Sequence, residues 1–311
     1  MKMTSSVFGL AVVLVVGGPL GSRASDANPS VENLDVAVLE KKVSEGDIDA
    51  KYQLGRALFR GEGVGQDIPR AAVLIREAAE AGDPRAMDGL GFLYLSGQGF
   101  DADETKALEW FEKGARAGYP KAQINAGLLW RQAKTIERSN EKGLAWLKKA
   151  ADGGSLEAKE ILGQIYFTGD RLQPRDYNLA GPYLLESAEG GNPVVQNMLG
   201  VAYRDGYGVE ANRELSIKWF RVAAEQNNAK AQSNLAHALG VDSPASPDRR
   251  EALVWLIVAS KQGEPRADKT LKELQFSIPG PLMILAQSEA EKKLMVLTAQ
   301  SASKEKKAWS N

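Results

Sequence analysis

The 311-residue sequence contains no cysteine and a single histidine. The first absence excludes disulfides, cysteine-bound zinc and thiol chemistry. The second excludes a multi-histidine metal centre and leaves His237 as the one imidazole in the chain, the natural place to look for acid-base chemistry. An excess of either charge is also missing. The 39 Lys and Arg face 40 Asp and Glu, for a net charge of −1. That balance supplies no electrostatic footprint for nucleic acid or for an anionic membrane surface. No Ser-x-x-Lys stands with a second acyl-transfer motif, and no carboxylate pair sits in an irregular loop. What remains is an ordinary globular composition, 43% hydrophobic and 25% charged.

The N-terminus is distinct. Met1 and Lys2 precede an uncharged stretch whose centre, Val7 to Val16, is almost wholly apolar. Gly17, Gly18, Pro19 and Gly21 follow, then a small-residue exit at Ser22-Arg23-Ala24. This is the layout of a secretory signal peptide, residues 1–24, cleaved near Ala24. An uncleaved anchor is the alternative, yet the strongly apolar run is shorter than the ~20 residues of a membrane span. Without cysteine there is no lipoprotein anchor. The expected address is the bacterial periplasm or the outside of the cell, with residues 25–30 as a linker and no stable membrane insertion after cleavage.

The most informative positive feature is a ruler. Trp110, Trp146, Tyr183, Trp219 and Trp255 stand 36, 37, 36 and 36 residues apart, and Leu74 holds the same slot one period earlier. A stack of repeats needs such regularity, because each module inserts the same knob into its neighbour. These six residues are therefore expected to be structural. Truncating Trp146 to Ala is expected to cost about 3–5 kcal/mol, the range for a buried aromatic.

Aligned on their first small residue, six repeats cover 50–85, 86–121, 122–157, 158–194, 195–230 and 231–266. Leu and a small residue follow at Leu54-Gly55, Leu90-Gly91, Leu162-Gly163, Leu199-Gly200 and Leu235-Ala236, weakened to Ala126-Gly127 in repeat three. Positions 1, 5 and 9 form an i, i+4, i+8 stripe on one helical face. The first helix ends in glycines, as in Gly61-Glu62-Gly63-Val64 and Gly97-Gln98-Gly99-Phe100. A second helix starts after Asp, Asn or Pro, as in Lys106 to Ala115, and stops at Gly-x-Pro turns such as Gly82-Asp83-Pro84. Two repeats depart from the pattern. Ala133 to Asn140 replaces the glycine loop of repeat three, and Gly240 to Asp248 carries Pro244 and Pro247 in repeat six.

This running pattern resembles Sel1-like repeats, relatives of the tetratricopeptide repeat. The resemblance implies an all-α fold, a right-handed α/α superhelix (solenoid) of about six helix-turn-helix repeats with half-repeat caps. Residues 31–49 are expected to supply the N-terminal half-repeat and 50–275 the solenoid. A break at Pro279-Gly280-Pro281 separates these from a C-terminal capping helix within 276–300, and 301–311 is expected to be a disordered tail.

The resemblance also implies that the first helices line a concave side where a protein or peptide docks. The variable positions of those helices nominate Tyr52, Arg56, Phe92, Leu128, Arg131, Gln164, Arg204 and His237. Phe92 and Leu128 would form an apolar patch, and Arg56, Arg131 and Arg204 would hold carboxylates. Ser233 and His237 at i, i+4 are placed to hydrogen-bond, without a triad. The expected function is a non-catalytic scaffold or regulator in the periplasm, with no cofactor and no metal. A cell-wall-associated protein or hydrolase and a chaperone-like helper are the alternatives.

Overall fold

The computed structural model describes residues 35–310. The expected signal peptide 1–24, the linker 25–30 and residues 31–34 of the half-repeat lie outside the described residues. Every regular element among those described is a helix. In chain order they are α1 (Val36–Ser44), α2 (Ile48–Arg60), α3 (Ile68–Glu80), α4 (Pro84–Ser96), α5 (Glu104–Arg116), α6 (Pro120–Gln132), α7 (Asn140–Asp152) and α8 (Leu156–Thr168). Then follow α9 (Tyr177–Ala188), α10 (Pro193–Asp205), α11 (Arg213–Glu225), α12 (Ala229–Ala238), α13 (Arg249–Lys261), α14 (Pro265–Leu274) and α15 (Gly280–Ser310). The chain is an all-α solenoid. It divides into two compact units, one ending at residue 162 but including 170–173, the other made of 163–169 and the chain from 174 onward.

Local sequence explains the helix boundaries. Second helices open behind an oxygen-bearing cap recurring at Asp67, Asp103, Ser139, Asp176 and Asn212, each accepting from the backbone N–H three residues on. Each such cap is worth about 1 kcal/mol. First helices α4 and α10 begin with proline at the first turn behind Asp83 and Asn192. Their ends take the left-handed conformation at Gly97 (φ 71°) and Gly206 (φ 74°), where a Cβ would be strained.

Within a repeat the two helices lock through a notch and a knob. A Cβ built on Gly91 would lie 2.6 Å from Phe111, and one on Gly200 2.5 Å from Phe220. Gly55 faces Ile75, Gly127 faces Leu147 and Gly163 faces Leu184 in the same way. These five knobs and Leu256 are fully buried. They stand one residue after the aromatic ruler. This corrects the expectation that the ruler itself fills the interior. Leu74 and Trp255 are buried, but Trp110, Trp146, Tyr183 and Trp219 are half-buried. Lys113 stacks 3.8 Å from the Trp110 ring centroid and Lys149 lies 5.1 Å from that of Trp146. Adjacent helix positions differ by about 100°, so the repeat spacing fixed the period and left the phase open.

Successive repeats are joined by buried glutamines. Gln123, Gln196 and Gln232 donate through Nε2 to the carbonyls of Ala115, Ala188 and Ala224, at 3.2, 3.0 and 3.2 Å. Each accepting carbonyl belongs to the last turn of the preceding helix, where backbone oxygens lack helical partners. Gln226 and Gln262 then donate to the side-chain oxygens of Gln196 and Gln232.

The reshaped loop of repeat three is pinned by Glu104. One carboxylate oxygen accepts from the Lys134 N–H, the Thr135 N–H and the Thr135 hydroxyl at 2.9, 2.7 and 2.7 Å. In repeat six the Ser246 hydroxyl donates to the Leu239 carbonyl at 2.6 Å and braces the Pro244–Pro247 segment.

α15 packs on α13 through Ala286, Ala290 and Leu297, which share a core with Trp255. Trp255 is 1% exposed, its Nε1 donates to Glu251, and Lys293 of α15 lies 4.1 Å over its ring. The helix does not stop near residue 300. It continues to Ser310, through the segment expected to be a disordered tail. That stretch holds no Gly or Pro and carries three Lys, two Ala and one Glu, all strong helix formers.

Candidate interaction site

Eight first-helix residues were nominated by sequence, and the fold separates them into two groups. Tyr52, Leu128 and Arg131 are buried at 4%, 0% and 5% exposure and form no accessible surface. Tyr52 packs in the core beneath Arg85, whose guanidinium lies 4.8 Å from the ring centroid. Burial pushes its phenol pKa up to about 12. Leu128 has no exposed surface with which to build a patch beside Phe92. Phe92 instead meets Phe59 edge-to-face at 6.1 Å. Arg131 holds a carboxylate, as expected of an arginine, but an internal one. It pairs with Asp170 in the loop after α8, and that same Asp170 accepts from the N–H groups of Leu172 and Gln173.

The second group stays accessible. Arg56, Phe92, Gln164 and His237 are half-buried and Arg204 is exposed. In the N-terminal unit Arg56 and Phe92 occupy equivalent places one repeat apart. In the C-terminal unit Gln164 and His237 do so two repeats apart, with Arg204 a further turn along α10. Beside them runs a polar ladder that spacing did not disclose. Asn125 donates to Asp88 at 2.8 Å, Asn234 donates to Asn197 at 2.9 Å, and Arg266 donates to Asn234 at 3.2 Å. Each bond joins one repeat to the previous one, so the ladder fixes how neighbouring first helices present their free side chains.

His237 does not bond to the Ser233 hydroxyl. Its Nδ1 lies 2.7 Å from the Ser233 carbonyl oxygen, which can only accept, so Nδ1 carries the proton. Nε2 lies 3.3 Å from the Thr270 hydroxyl. The ring is held at both ends by neutral groups. Around it, Arg204, Arg213 and Arg266 line one surface cleft. Arg213 and Arg266 lie on a second helix and on the partial seventh repeat, outside the first-helix positions compared above. Among the described residues no group of three or more His, Asp or Glu is placed to hold a metal ion, and no helix is long and apolar enough to cross a membrane.

The Sel1 repeat model matches residues 48–83, 84–119, 120–155, 156–192, 193–228 and 229–264. Each match opens two residues before the alignment on the first buried small residue, because the helix starts at its cap. A protective antigen of uropathogenic Escherichia coli strains, described as displaying an SLR fold, is similar with a TM-score of 0.73 and 24% identity, over 88% of this chain and 58% of that one. A Sel1 repeat protein from Oxalobacter formigenes is similar with a TM-score of 0.61 and 27% identity, over 73% and 93%. An uncharacterized protein of Neisseria meningitidis serogroup B is 30% identical over 101 residues, which is 32% of this chain and 21% of that protein. The chain thus spans about a fifth of that curated relative and little more than half of the antigen. Sel1 repeats commonly serve as protein-interaction scaffolds. Six contiguous matches on a repeating two-helix framework establish that the chain belongs to the Sel1-repeat family.

Proposed function

We propose that this chain is a non-catalytic interaction scaffold or regulator of the bacterial periplasm that binds a partner protein along its first-helix row. One observation carries the reading. A uniform frame of glycine notches, apolar knobs and buried glutamines supports accessible positions that differ from repeat to repeat: Arg56 and Phe92 in the N-terminal unit, and Gln164, Arg204 and His237 in the C-terminal unit. Uniform parts make the stack, and the variable positions are left to discriminate among partners. The apolar stretch Val7 to Val16, followed by the small-residue exit at Ala24, supports export to the periplasm.

The test is crosslinking in the native envelope, followed by mass spectrometry. Wild type is expected to capture a defined partner, and Arg56→Ala/Phe92→Ala or Arg204→Ala/His237→Ala to lose it. Unchanged capture by both double variants overturns the assignment of the row. Finding the protein in the cytoplasm with residues 1–24 intact overturns the address.

A further inference from the structure

We propose that the cleft where the ends of α10 and α12 meet the starts of α11 and α14 binds a carboxylate carried by an acidic segment of a partner protein. The cleft has a volume of about 580 Å³, and Arg204, Arg213, Arg266, His237, Asn212 and Ser216 supply its polar lining. That size accommodates a short stretch of peptide. None of the residues lining it is an Asp or Glu.

The state of the three guanidinium groups is decisive. Arg204 is neutralised by its neighbour Asp205, bonded through two nitrogens at 2.7 Å each. Arg213 and Arg266 are not so occupied. Arg213 donates to the Ala238 carbonyl at 2.8 Å and Arg266 to the Asn234 side-chain oxygen at 3.2 Å, both neutral acceptors. Each keeps further N–H donors in the planar fork that matches a carboxylate. Two cations without anionic partners among the described residues therefore face one cleft, and this is an attractive field for an anion.

Two further features agree in sign. α11, a 13-residue helix, begins at Arg213, so the positive end of its dipole opens on the cleft. Asn212 spends its side-chain oxygen as the helix cap on the Leu215 N–H, which leaves its amide NH₂ as a donor. His237, in contact with the Ser233 carbonyl and the Thr270 hydroxyl, forms part of the wall.

This inference rests on the scaffold reading and names the chemistry of its partner. The probe is the full exported chain titrated against fluorescein-labelled hexapeptides, read by fluorescence anisotropy. Hexaglutamate amide is expected to bind at least tenfold more tightly than hexaglutamine amide. The Arg213→Gln/Arg266→Gln variant is expected to lose at least tenfold of that affinity. Arg213 also caps α12, so Arg266→Gln alone, an exposed change with an unaltered melting curve, is the second variant and is expected to weaken binding at least threefold. Hexaglutamine with a free C-terminus separates the two sources of carboxylate. Binding of hexaglutamate amide alone supports the acidic segment, whereas binding of the free-ended hexaglutamine beyond its amide, with no preference for hexaglutamate amide, overturns it in favour of a chain end. Equal affinity for hexaglutamate amide and hexaglutamine amide overturns the proposal, as does unaltered binding by both variants. Undiminished crosslinking of a native partner by Arg213→Gln/Arg266→Gln would remove the cleft and leave the scaffold reading standing. Peptide binding without any native partner would do the reverse.

Discussion

Phe111 occupies a notch that exists only because Gly91 has no side chain: a Cβ there would stand 2.6 Å from Cδ1 of the ring and 3.0 Å from the Ala107 carbonyl oxygen. Two opposed effects decide what alanine does at this position. Replacing a helical glycine gains about 1 kcal/mol of propensity. Overpacking a filled core costs about 1–3 kcal/mol, and the backbone oxygen cannot swing aside. Gly91→Ala is expected to lose about 1–2 kcal/mol net. Gly89→Ala, whose Cβ would meet the Ile75 Cγ2 at 3.3 Å and the Tyr52 ring at 4.0 Å, side chains and no backbone, is expected to be neutral or mildly stabilising. Urea unfolding of the two variants, and rescue of Gly91→Ala by Phe111→Leu, checks the argument.

The same register predicts a ranking of adjacent aromatics. Phe111→Ala empties a 1%-exposed site and is expected to cost about 3–5 kcal/mol. Trp110→Ala removes a half-exposed indole and its Lys113 stack, for a loss of about 1–2 kcal/mol. Thermal and chemical unfolding of both variants would reverse the assignment of the knob if Trp110 proved the more costly.

The buried pair of Arg131 and Asp170 predicts an asymmetry. The Arg131 side chain is 4% exposed and that of Asp170 is 37% exposed. Removing the acid strands a cation in the interior. Asp170→Ala is expected to cost about 2 kcal/mol, below the 3–5 kcal/mol of fully buried pairs, because water already screens the carboxylate. Arg131→Met added to Asp170→Ala removes both charges and should restore more than half of the loss. A double-mutant cycle in urea provides the measurement.

Glu104 predicts an acid-sensitive loop. Burial alone would raise its pKa, but the donors from Thr135 and Lys134 outweigh that and hold it below the ordinary value of 4.5. A lowered folded-state pKa means that the stabilisation is fully present above the unfolded value and is lost as pH falls through the lower, folded one. The amide signals of Lys134 and Thr135 are therefore expected to shift together at a midpoint below 4.5 in an NMR titration. Glu104→Gln should abolish that shared transition.

Much of this architecture was legible because its causes are local. Caps at Asp67, Asp103 and Asp176 and left-handed turns at Gly97 and Gly206 announce themselves in the chain, and their spacing discloses the stack. Helix rotation was not legible. Trp110 and Phe111 recur with the same period, and only the notch at Gly91, read as a vacancy needing a ring, would have chosen between them. Burial failed at Tyr52, Leu128 and Arg131 for the same reason, since variability was mistaken for exposure. Gln123, Gln196 and Gln232 were overlooked because an amide is expected outside, yet the carbonyls ending a helix need a donor. The accessible half of the candidate row, Arg56, Phe92, Gln164, Arg204 and His237, was visible in the repeat alignment. Arg213 and Arg266 were not, because they converge on the cleft from different helices.

Trp255 differs from the other ruler tryptophans in having α15 laid over it. Its indole thereby becomes an optical gauge of the last junction in the chain. Lifting α15 would wet this chromophore and redden its emission, while Trp110, Trp146 and Trp219 already sense solvent and would change little. Fraying from the C-terminal end would then have a colour of its own, distinguishable by eye on a spectrum from melting of the whole array.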